Sequence, residues 1–224
     1  IFYYISYPND VMSADILNPV TYSPSFPQIY PVGYPVAIEG RFLNIGTSSQ
    51  SNVPVGYSIY DGSCNLVYSD NSGVVRGTWN PLETRDVVFS GWTPTGPGTY
   101  YIRIYTLMNP DDQNTNDTFP RSGCGKEFTV KYEIDVQALS GSLGGSPLPN
   151  TIPGADYPDG RPMDVIVPFR NNGFTDATNV PATVQIRNSA GAIVYNRNST
   201  IPYVPGDGST IFHSFPRFVP TSSG

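Results

Sequence analysis

The sequence predicts an all-β protein built from two-layer sandwiches arranged in tandem. Three observations support this prediction: short runs that alternate apolar and polar residues, a high density of turn-forming residues, and an internal repeat. The 224 residues include 22 Gly and 23 Pro, so few stretches are long enough to form a helix without interruption. The length suits two cores of about 100 to 120 residues each.

Strands with one apolar and one polar face recur along the first half of the chain. In residues 36–42, Val36, Ile38 and Phe42 share one face, while Glu39 lies on the opposite face. One apolar face per strand is what a two-sheet sandwich requires. We predict strands at residues 13–17, 35–44, 53–60, 64–69, 73–78, 84–92, 98–107 and 126–132.

The strongest observation is an internal repeat, in which residues 42–68 align without a gap with residues 169–195. Nine of these 27 positions are identical, and the apolar positions stay in phase. Because a shift of one residue would exchange the two faces of a strand, the agreement in phase is an independent test of the alignment. The identical pairs are Phe42 and Phe169, Asn44 and Asn171, Gly46 and Gly173, Asn52 and Asn179, Val53 and Val180, Pro54 and Pro181, Ile59 and Ile186, Val67 and Val194, and Tyr68 and Tyr195.

The repeat also predicts the domain edges. Copy one is expected to span residues 11–132, and copy two residues 133–224. Copy two stops at the position where copy one still has its last strands to form, so it is expected to be incomplete within this sequence. Residues 1–10 are expected to be the terminal strand of a preceding copy, or a donor strand that pairs with a neighbouring subunit. On this interpretation the sequence is a segment of a longer array.

Composition argues against several classes of function. Charged residues make up 13% of the sequence and the net charge is −6 without a basic run, which disfavours a nucleic-acid groove or an anionic membrane surface. The sequence contains no run of 18 apolar residues, so no membrane-spanning helix is predicted. The single histidine, His213, lies on a predicted strand, and no Gly-x-Ser-x-Gly elbow occurs. No catalytic residue and no enzymatic activity are therefore predicted.

One polar loop is the candidate ligand site. It concentrates hard oxygen ligands of the kind that calcium prefers, although their spacing is not that of an EF-hand loop. Asp and Asn also dominate ordinary turns, because their side chains cap backbone amides. The sequence leaves a calcium site and a plain polar loop both open, and no other cofactor is predicted. The candidate ligands are Asp111, Asp112, Asn114, Asn116 and Asp117.

The two cysteines, Cys64 and Cys124, are compatible with an oxidising compartment. The predicted strands place Cys64 in a turn and Cys124 at the end of the loop 108–125, nominally at the opposite pole of the sandwich. A disulfide needs Cα atoms within about 7 Å of each other. Because the loop is long enough to fold back, a disulfide and two free thiols both remain open.

Two sequons make Asn116 and Asn198 candidate glycosylation sites, in a host that glycosylates asparagine. Each is the first residue of an Asn-x-Thr triplet. Such triplets also arise by chance in a chain rich in Asn and Thr, so both interpretations stay open.

Several of these motifs together resemble the bacterial cell-adhesion-related immunoglobulin-like repeat. Tyr100, just inside a predicted strand, resembles the tyrosine corner of such sandwiches, an ordinary edge tyrosine being the alternative. The resemblance implies tandem immunoglobulin-like (fibronectin III-like) β-sandwiches in a secreted or surface-anchored protein. The motifs that carry it are residues 42–46 and 52–54 with their counterparts 169–173 and 179–181, together with residues 60–62, 67–68, 92–94, 98–100 and 116–117.

The resemblance and the repeat together predict a structural or adhesive subunit of an extracellular surface stalk, adhesin or filament. Its expected partners are neighbouring copies of the same protein or repeat. The alternative is an accessory module of a secreted hydrolase, either a spacer or a module that binds surface polysaccharide. An exposed aromatic platform formed by Trp79, Tyr101 and Tyr105 would favour this alternative.

Overall fold

The computed structural model describes residues 7–19, 29–139, 142–143, 160 and 162–221. The chain divides into two compact units, Ile1–Lys131 and Tyr132–Gly224, called unit one and unit two below. Strands dominate both units, and the described residues contain no α-helix. The predicted fold class, all-β with tandem β-sandwiches, is confirmed.

Unit one has two sheets. One sheet has the order β1-β3-β6, and the other has the order β2-β9-β7-β4-β5 with β8 beside β7. All of these pairings are antiparallel except the one between β2 and β9. The strands are β1 (Val11–Asn18), β2 (Ile29–Pro31), β3 (Val36–Asn44), β4 (Gln50–Tyr60), β5 (Leu66–Trp79), β6 (Thr84–Trp92), β7 (Gly98–Thr106), β8 (Thr118–Phe119) and β9 (Lys126–Lys131).

The core of unit one consists of the inward positions that the alternation predicts. Ile38 and Phe42 of β3 are fully buried, as are Tyr57 and Ile59 of β4. Phe89 of β6 joins the two sheets, because its ring meets that of Phe42 at 6.4 Å and that of Tyr57 at 5.2 Å, edge to face in both cases. Such edge-to-face pairs stabilise a core beyond the area that they bury.

Tyr100 forms the tyrosine corner that the sequence predicts. Its hydroxyl donates to the carbonyl oxygen of Gly96 at 3.0 Å, which ties the start of β7 to the preceding loop. Its ring packs against Trp92 at 4.9 Å and against Phe128 at 6.0 Å. The corner therefore links β6, β7 and β9 at one end of the sandwich.

Unit two repeats much of this arrangement. In one sheet β12 is flanked by β15 on one edge and by β10 and β11 on the other, and β13 pairs with β14 in a second sheet. The strands are β10 (Val136–Ala138), β11 (Ser142–Leu143), β12 (Met163–Asn171), β13 (Ala177–Arg187), β14 (Ile193–Val204) and β15 (Thr210–Phe218).

Strand register is the same in the two units. Ile38 pairs with Phe89 in unit one, and Val165 pairs with Phe215 in unit two. Both ladders have a register shift at the same place, between residues 36 and 38 and between residues 163 and 165. The sequence repeat is therefore a structural repeat, down to a bulge.

One strand prediction is wrong. Residues 64–69 and 73–78 were expected to be separate strands, but β5 runs unbroken from Leu66 to Trp79. The polar stretch between them is a bulge and not a turn, since Val55 pairs with Gly73 and Tyr57 pairs with Asp70. Gly56 makes room for the bulge, because a Cβ there would lie 2.5 Å from Oδ1 of Asn71.

The repeated Asn-Val-Pro motif has the same backbone conformation in the two units. Asn52 and Asn179 both adopt a left-handed backbone with φ of 52°. The strand register shifts beside Asn52, whereas β13 and β14 stay in register around Asn179. Asparagine tolerates this region better than most residues because its short polar side chain can bond locally. The identity of these two residues thus has a backbone cause.

We expect Asn52→Val to destabilise unit one by about 1 to 2 kcal/mol, since a β-branched residue fits the left-handed region poorly. Asn52→Gly should be nearly neutral, because glycine enters that region freely. Urea unfolding of both variants checks this. Equal effects of valine and glycine would contradict the backbone explanation.

Candidate functional site

The candidate calcium loop fastens the N-terminal segment of unit one to the body of the sandwich. The carboxylate of Asp112 accepts from the backbone amide of Asn9 at 2.7 Å, and the backbone amide of Asp112 donates to the carbonyl oxygen of Asn9 at 2.7 Å. The carboxylate of Asp111 accepts from the amide of Val11 at 3.2 Å. Asp111 and Asp112 thus cap backbone amides, as polar turn residues do.

Asn116 and Asp117 lie deeper in the same loop, while Asn114 is exposed. Asn116 is only 5% exposed and donates from Nδ2 to the carboxylate of Asp10 at 2.8 Å. The carbonyl oxygen of Asp117 accepts from the Ser13 hydroxyl and from the amide of Thr106. Three side-chain oxygens here are buried without a hydrogen-bond partner: Thr106 Oγ1, Asn116 Oδ1 and Asp117 Oδ1.

Two carboxyl groups at this loop, those of Asp10 and Asp117, have raised pKa values. Burial raises the pKa of Asp10, and the neighbouring charges of Asp111 and Asp112 raise it further, against the hydrogen bond from Asn116. Burial also raises the pKa of Asp117, with a smaller contribution from Asp111. Among the described residues, no three His, Cys, Asp or Glu side chains are grouped so that they could hold a metal ion. The contacts favour the interpretation as a polar loop, and calcium binding remains a prediction to be tested.

We expect Asp117→Asn to stabilise unit one by about 0.5 kcal/mol at neutral pH, a small gain because the site is partly open to water. The asparagine side chain removes a disfavoured charge. Its NH2 group also places a hydrogen-bond donor beside Thr106 Oγ1 and Asn116 Oδ1, which have no partner. Because the folded state favours protonated Asp117, the wild-type carboxyl begins to lower stability as the pH rises above the ordinary pKa that it has in the unfolded chain, and the loss is complete above its raised folded pKa. The gain should therefore shrink as the pH falls. Thermal unfolding at several pH values, with calcium or with a chelator, measures the gain. If calcium stabilises the wild-type protein and this effect is lost in Asp117→Asn, the loop is a metal site and the prediction is wrong.

The two sequons differ in accessibility. Asn198 is exposed, and its Oδ1 accepts from the hydroxyl of Thr183 at 2.9 Å. Asn116 is buried, and a glycan would replace the Nδ2 donor that bonds Asp10. Asn116 is thus incompatible with glycosylation in this fold, while glycosylation of Asn198 stays a prediction.

Cys64 and Cys124 form a disulfide, with Cα atoms 5.5 Å apart. The expectation that they lie at opposite poles is wrong, because the loop returns along β7. Strand β8 pairs with Ile104 and Tyr105, and β9 begins opposite Ile102, which brings Cys124 back toward the hairpin that carries Cys64. The disulfide therefore links the β4–β5 hairpin to the start of β9.

A serine–histidine contact in unit two was not foreseen. Ser199 Oγ and His213 Nε2 are 2.7 Å apart, and the imidazole packs edge-on against Phe215 at 5.1 Å. His213 takes the place that Val87 has in unit one, since each is paired with the matching residue of β12 or β3. In the part of the chain that the structure describes, no carboxylate hydrogen-bonds this imidazole, so the third member of a catalytic triad is not in place.

The exposed aromatic platform does not form. Trp79 is fully buried, and its indole donates to the carbonyl oxygen of Glu83 at 2.7 Å. Tyr105 is half-buried, with its hydroxyl bonded to Asn71 and to the carbonyl oxygen of Tyr57. The sequence around Trp79, at the end of its strand, does not indicate which face of the sheet the side chain occupies.

The hairpins β4–β5 and β13–β14 have the same tip geometry. In unit one the carboxylate of Asp61 accepts from the amides of Ser63 and Asn65, and the side-chain amide of Asn65 helps to lower the pKa of Asp61. In unit two the side-chain oxygen of Asn188 accepts from two backbone amides at the same spacing. Cys64 and Gly191 take the same place in the two turns, each with a left-handed backbone.

Each hairpin tip presents two large apolar side chains to solvent. Leu66 and Val67 are 59% and 45% exposed, and their counterparts Ile193 and Val194 are both 47% exposed. A single exposed apolar residue needs no explanation, but a pair kept at the same place in both copies does. We call these four residues the tip pairs.

The edge of β13 is the other distinctive feature of unit two. In unit one, residues 55–60 of β4 pair with β7 on one side and with β5 on the other. The matching part of β13, residues 182–187, pairs only with β14 among the described residues. The inward positions of β13 are correspondingly half-buried, at Val180, Ala182, Val184 and Ile186, whereas those of β4 are almost fully buried.

No helix among the described residues is long and apolar enough to cross a membrane. No protein-family model matches the chain, and no curated protein is similar to it above the level expected by chance.

Two kinds of solved structure show distant similarity. One is the CARDB domain of the PF1109 protein from Pyrococcus furiosus, described as a complex with di-metal ions, which shares 18% identity over 58% of this chain and 95% of that domain, with a TM-score of 0.34. The other is a chaperone–tip adhesin complex of CFA/I fimbriae, with 8% identity over 88% of each chain and a TM-score of 0.26. At these identities and scores, neither similarity assigns a family or a function to this chain.

Proposed function

We propose that this protein is a non-enzymatic structural or adhesive subunit of an extracellular stalk, adhesin or filament. The observation that carries the proposal is the repetition, within one chain, of a sandwich with the same strand register and the same exposed hairpin tip. In a linear array of such units each one contacts its neighbours, so repetition adds length without adding a new fold. The partners would be neighbouring copies of the same protein or repeat.

The tip pairs support an adhesive surface. Their side chains are apolar and exposed in both units, although the turn residues beside them differ. Packing in the core does not explain why these side chains are apolar, because they are not in the core clusters of either unit. Burial against another surface would remove apolar area from water, worth roughly 25 cal/mol per Å².

We expect the double variant Leu66→Asp with Ile193→Asp to weaken self-association while leaving the unfolding free energy within about 0.5 kcal/mol of the wild type. Sedimentation velocity and urea unfolding measure the two effects. Ser63→Asp is the matched control, since it adds charge to the same exposed tip without touching a tip pair. Unchanged association in the double variant would contradict an adhesive role for the tips.

The proposal as a whole is tested by locating the protein on its cells. Antibodies raised against the chain, detected by immunogold electron microscopy, should label surface stalks or filaments. A label confined to the cell interior, or to a secreted enzyme complex without such structures, would overturn the proposal. The platform of Trp79, Tyr101 and Tyr105 that would favour a carbohydrate-binding role does not form, because Trp79 is buried.

A further inference from the structure

A cleft forms in unit one because β4 extends beyond the end of β7. The last pair between the two strands is Val55 with Thr106, and β4 continues from there back to Gln50. Just past the end of β7, the amide of Leu107 donates to the carbonyl oxygen of Pro54 at 2.8 Å. The cleft that results has a volume of about 230 Å³ and is lined by residues 50–54, residues 108–110 and Asn9.

The lining of the cleft is polar but carries no charge. Four of its side chains are amides, those of Asn9, Gln50, Asn52 and Asn109. Asn52 and Asn109 are exposed, and their side chains make no hydrogen bond among the described residues. Gln50 donates from Nε2 to Oδ1 of Asn9 at 3.1 Å, which leaves the Gln50 carbonyl oxygen free to accept and the Asn9 amino group free to donate within the described part of the chain. The cleft therefore offers several donors and acceptors to a ligand.

Apolar carbon lies between these amides. Val53 is 3% exposed, Met108 packs against the core of unit one, and Pro54 and Pro110 are exposed. A sugar matches this mixture, because each hydroxyl both donates and accepts while the ring presents C–H groups. The volume is below the roughly 300 to 1,000 Å³ of pockets that hold drug-sized ligands, so it suits a single sugar ring or the end of a glycan.

Two other classes of ligand fit the cleft less well. Pairing of a peptide strand is disfavoured, because Pro54 has no amide hydrogen and its carbonyl oxygen is already bonded to Leu107. An anionic ligand would approach the carboxylate of Asp112, which accepts from the backbone amide of Asn9 at 2.7 Å. The charges at the cleft thus favour a neutral ligand.

We propose that this cleft binds a neutral carbohydrate through the side-chain amides of Gln50, Asn52 and Asn109. The inference rests on the proposed function and deepens it, because it names the class of ligand that an adhesive subunit would hold. The repeat does not account for the whole amide set. The counterpart of Gln50 in unit two is Ala177, although Asn52 and Asn179 share one backbone conformation.

The first test measures binding of methyl glycosides by proton–nitrogen correlation NMR. The neutral probes are the methyl glycosides of glucose, galactose, mannose and N-acetylglucosamine, and the charged comparison is the methyl glycoside of glucuronic acid. We expect at least one neutral probe to shift the side-chain amide signals of Gln50, Asn52 and Asn109 in a saturable way, and the glucuronide to leave them in place. Absence of such shifts with every neutral probe, or equal binding of the glucuronide, would overturn the proposal.

The second test uses variants with a matched control. Asn52→Gly and Gln50→Ala should each raise the dissociation constant of the glycoside at least about threefold, because each removes the hydrogen bonds of one amide. Both should still fold, since glycine suits the left-handed backbone at residue 52 and alanine occupies the counterpart of residue 50. Asn179→Gly removes the matching amide from unit two and should leave the dissociation constant unchanged.

Three results of the second test would overturn the proposal. One is unchanged binding in both cleft variants, and another is an equal loss in Asn52→Gly and Asn179→Gly. The third is tighter binding of a blocked, neutral Gly-Ser peptide than of any glycoside, which would assign the cleft to a peptide ligand.

The outcomes separate this inference from the proposed function. Surface labelling of stalks or filaments without glycoside binding would overturn the carbohydrate site and leave the structural role standing. Glycoside binding in the cleft, with the label confined to the cell interior, would overturn the structural role and leave the site standing. The tip-pair double variant should bind the glycoside as the wild type does, because neither Leu66 nor Ile193 lines the cleft; a loss there would overturn the assignment to the cleft.

Discussion

Replacing Cys64 and Cys124 together by serine should lower the unfolding free energy of unit one by about 4 kcal/mol. The disulfide closes a loop of 60 residues. In the chain-entropy model, a loop of this length restricts the unfolded chain by about 4 kcal/mol at 25 °C. This is a large part of the total stability of a single domain, which is about 5 to 15 kcal/mol.

Urea unfolding with and without a reductant measures this effect. Reduction of the wild-type protein should reproduce the double variant, and the variant should not respond to reductant. Unit two has no cysteine, so it provides an internal control whose transition should not move. A wild-type protein whose stability is independent of reductant would contradict the prediction.

A mechanical measurement tests the same link in a different way. When unit one is pulled from its ends, the 60 residues closed by the disulfide cannot extend. At roughly 3.3 to 3.6 Å per residue, reduction should lengthen the unfolding step by about 200 Å. A protein that bears tension on a cell surface would benefit from a link that limits how far a domain can extend.

The sandwich could be predicted from sequence because its determinants are local and periodic. The parity of Val36, Ile38 and Phe42 identifies the inward face without knowledge of any other strand. The repeat then transfers that assignment to copy two, since a shift of one residue would turn its apolar residues outward. The inward faces of the matching strands in both copies followed from these two facts.

The disulfide could not be predicted because it depends on a two-residue strand. β8 carries no alternating pattern of its own, and it forms only because β7 offers an edge where Thr118 and Phe119 can pair. The path of residues 107–125 back along β7 is therefore set by tertiary contacts. The same limit explains β5, where the stretch around Asp70 has the composition of a turn but forms a bulge over Gly56.

The candidate ligand loop shows a related ambiguity. Asp111 and Asp112 have the chemistry of calcium ligands and of amide caps alike, and only the position of the N-terminal segment decides which role they take. That segment is more than 100 residues away in sequence, since Asp112 bonds Asn9. Composition therefore identified the loop but not its contacts.

Asn44→Ala and Asn171→Ala should each destabilise their own unit by about 3 kcal/mol. Asn44 is fully buried and makes three hydrogen bonds to the backbone, with Ser48, Trp79 and Gly46. Asn171 does the same with Thr175, Gly173 and Asp135. Each backbone group left buried without a partner costs about 1 to 3 kcal/mol, and relaxation of the loop recovers part of the sum.

The neighbouring residue provides the matched control. Asn172 is exposed and its side chain makes no hydrogen bond among the described residues, so Asn172→Ala should change stability by less than about 0.5 kcal/mol. The repeated glycine allows the close approach that the buried asparagine needs. A Cβ on Gly46 would lie 2.5 Å from the carbonyl oxygen of Pro8, so a larger residue would push the chain away from Asn44. Calorimetry that resolves the two units should show Asn44→Ala lowering one transition and Asn171→Ala the other. A loss shared by Asn172→Ala would mean that the loop tolerates no change at all, and that the buried amide is not the cause.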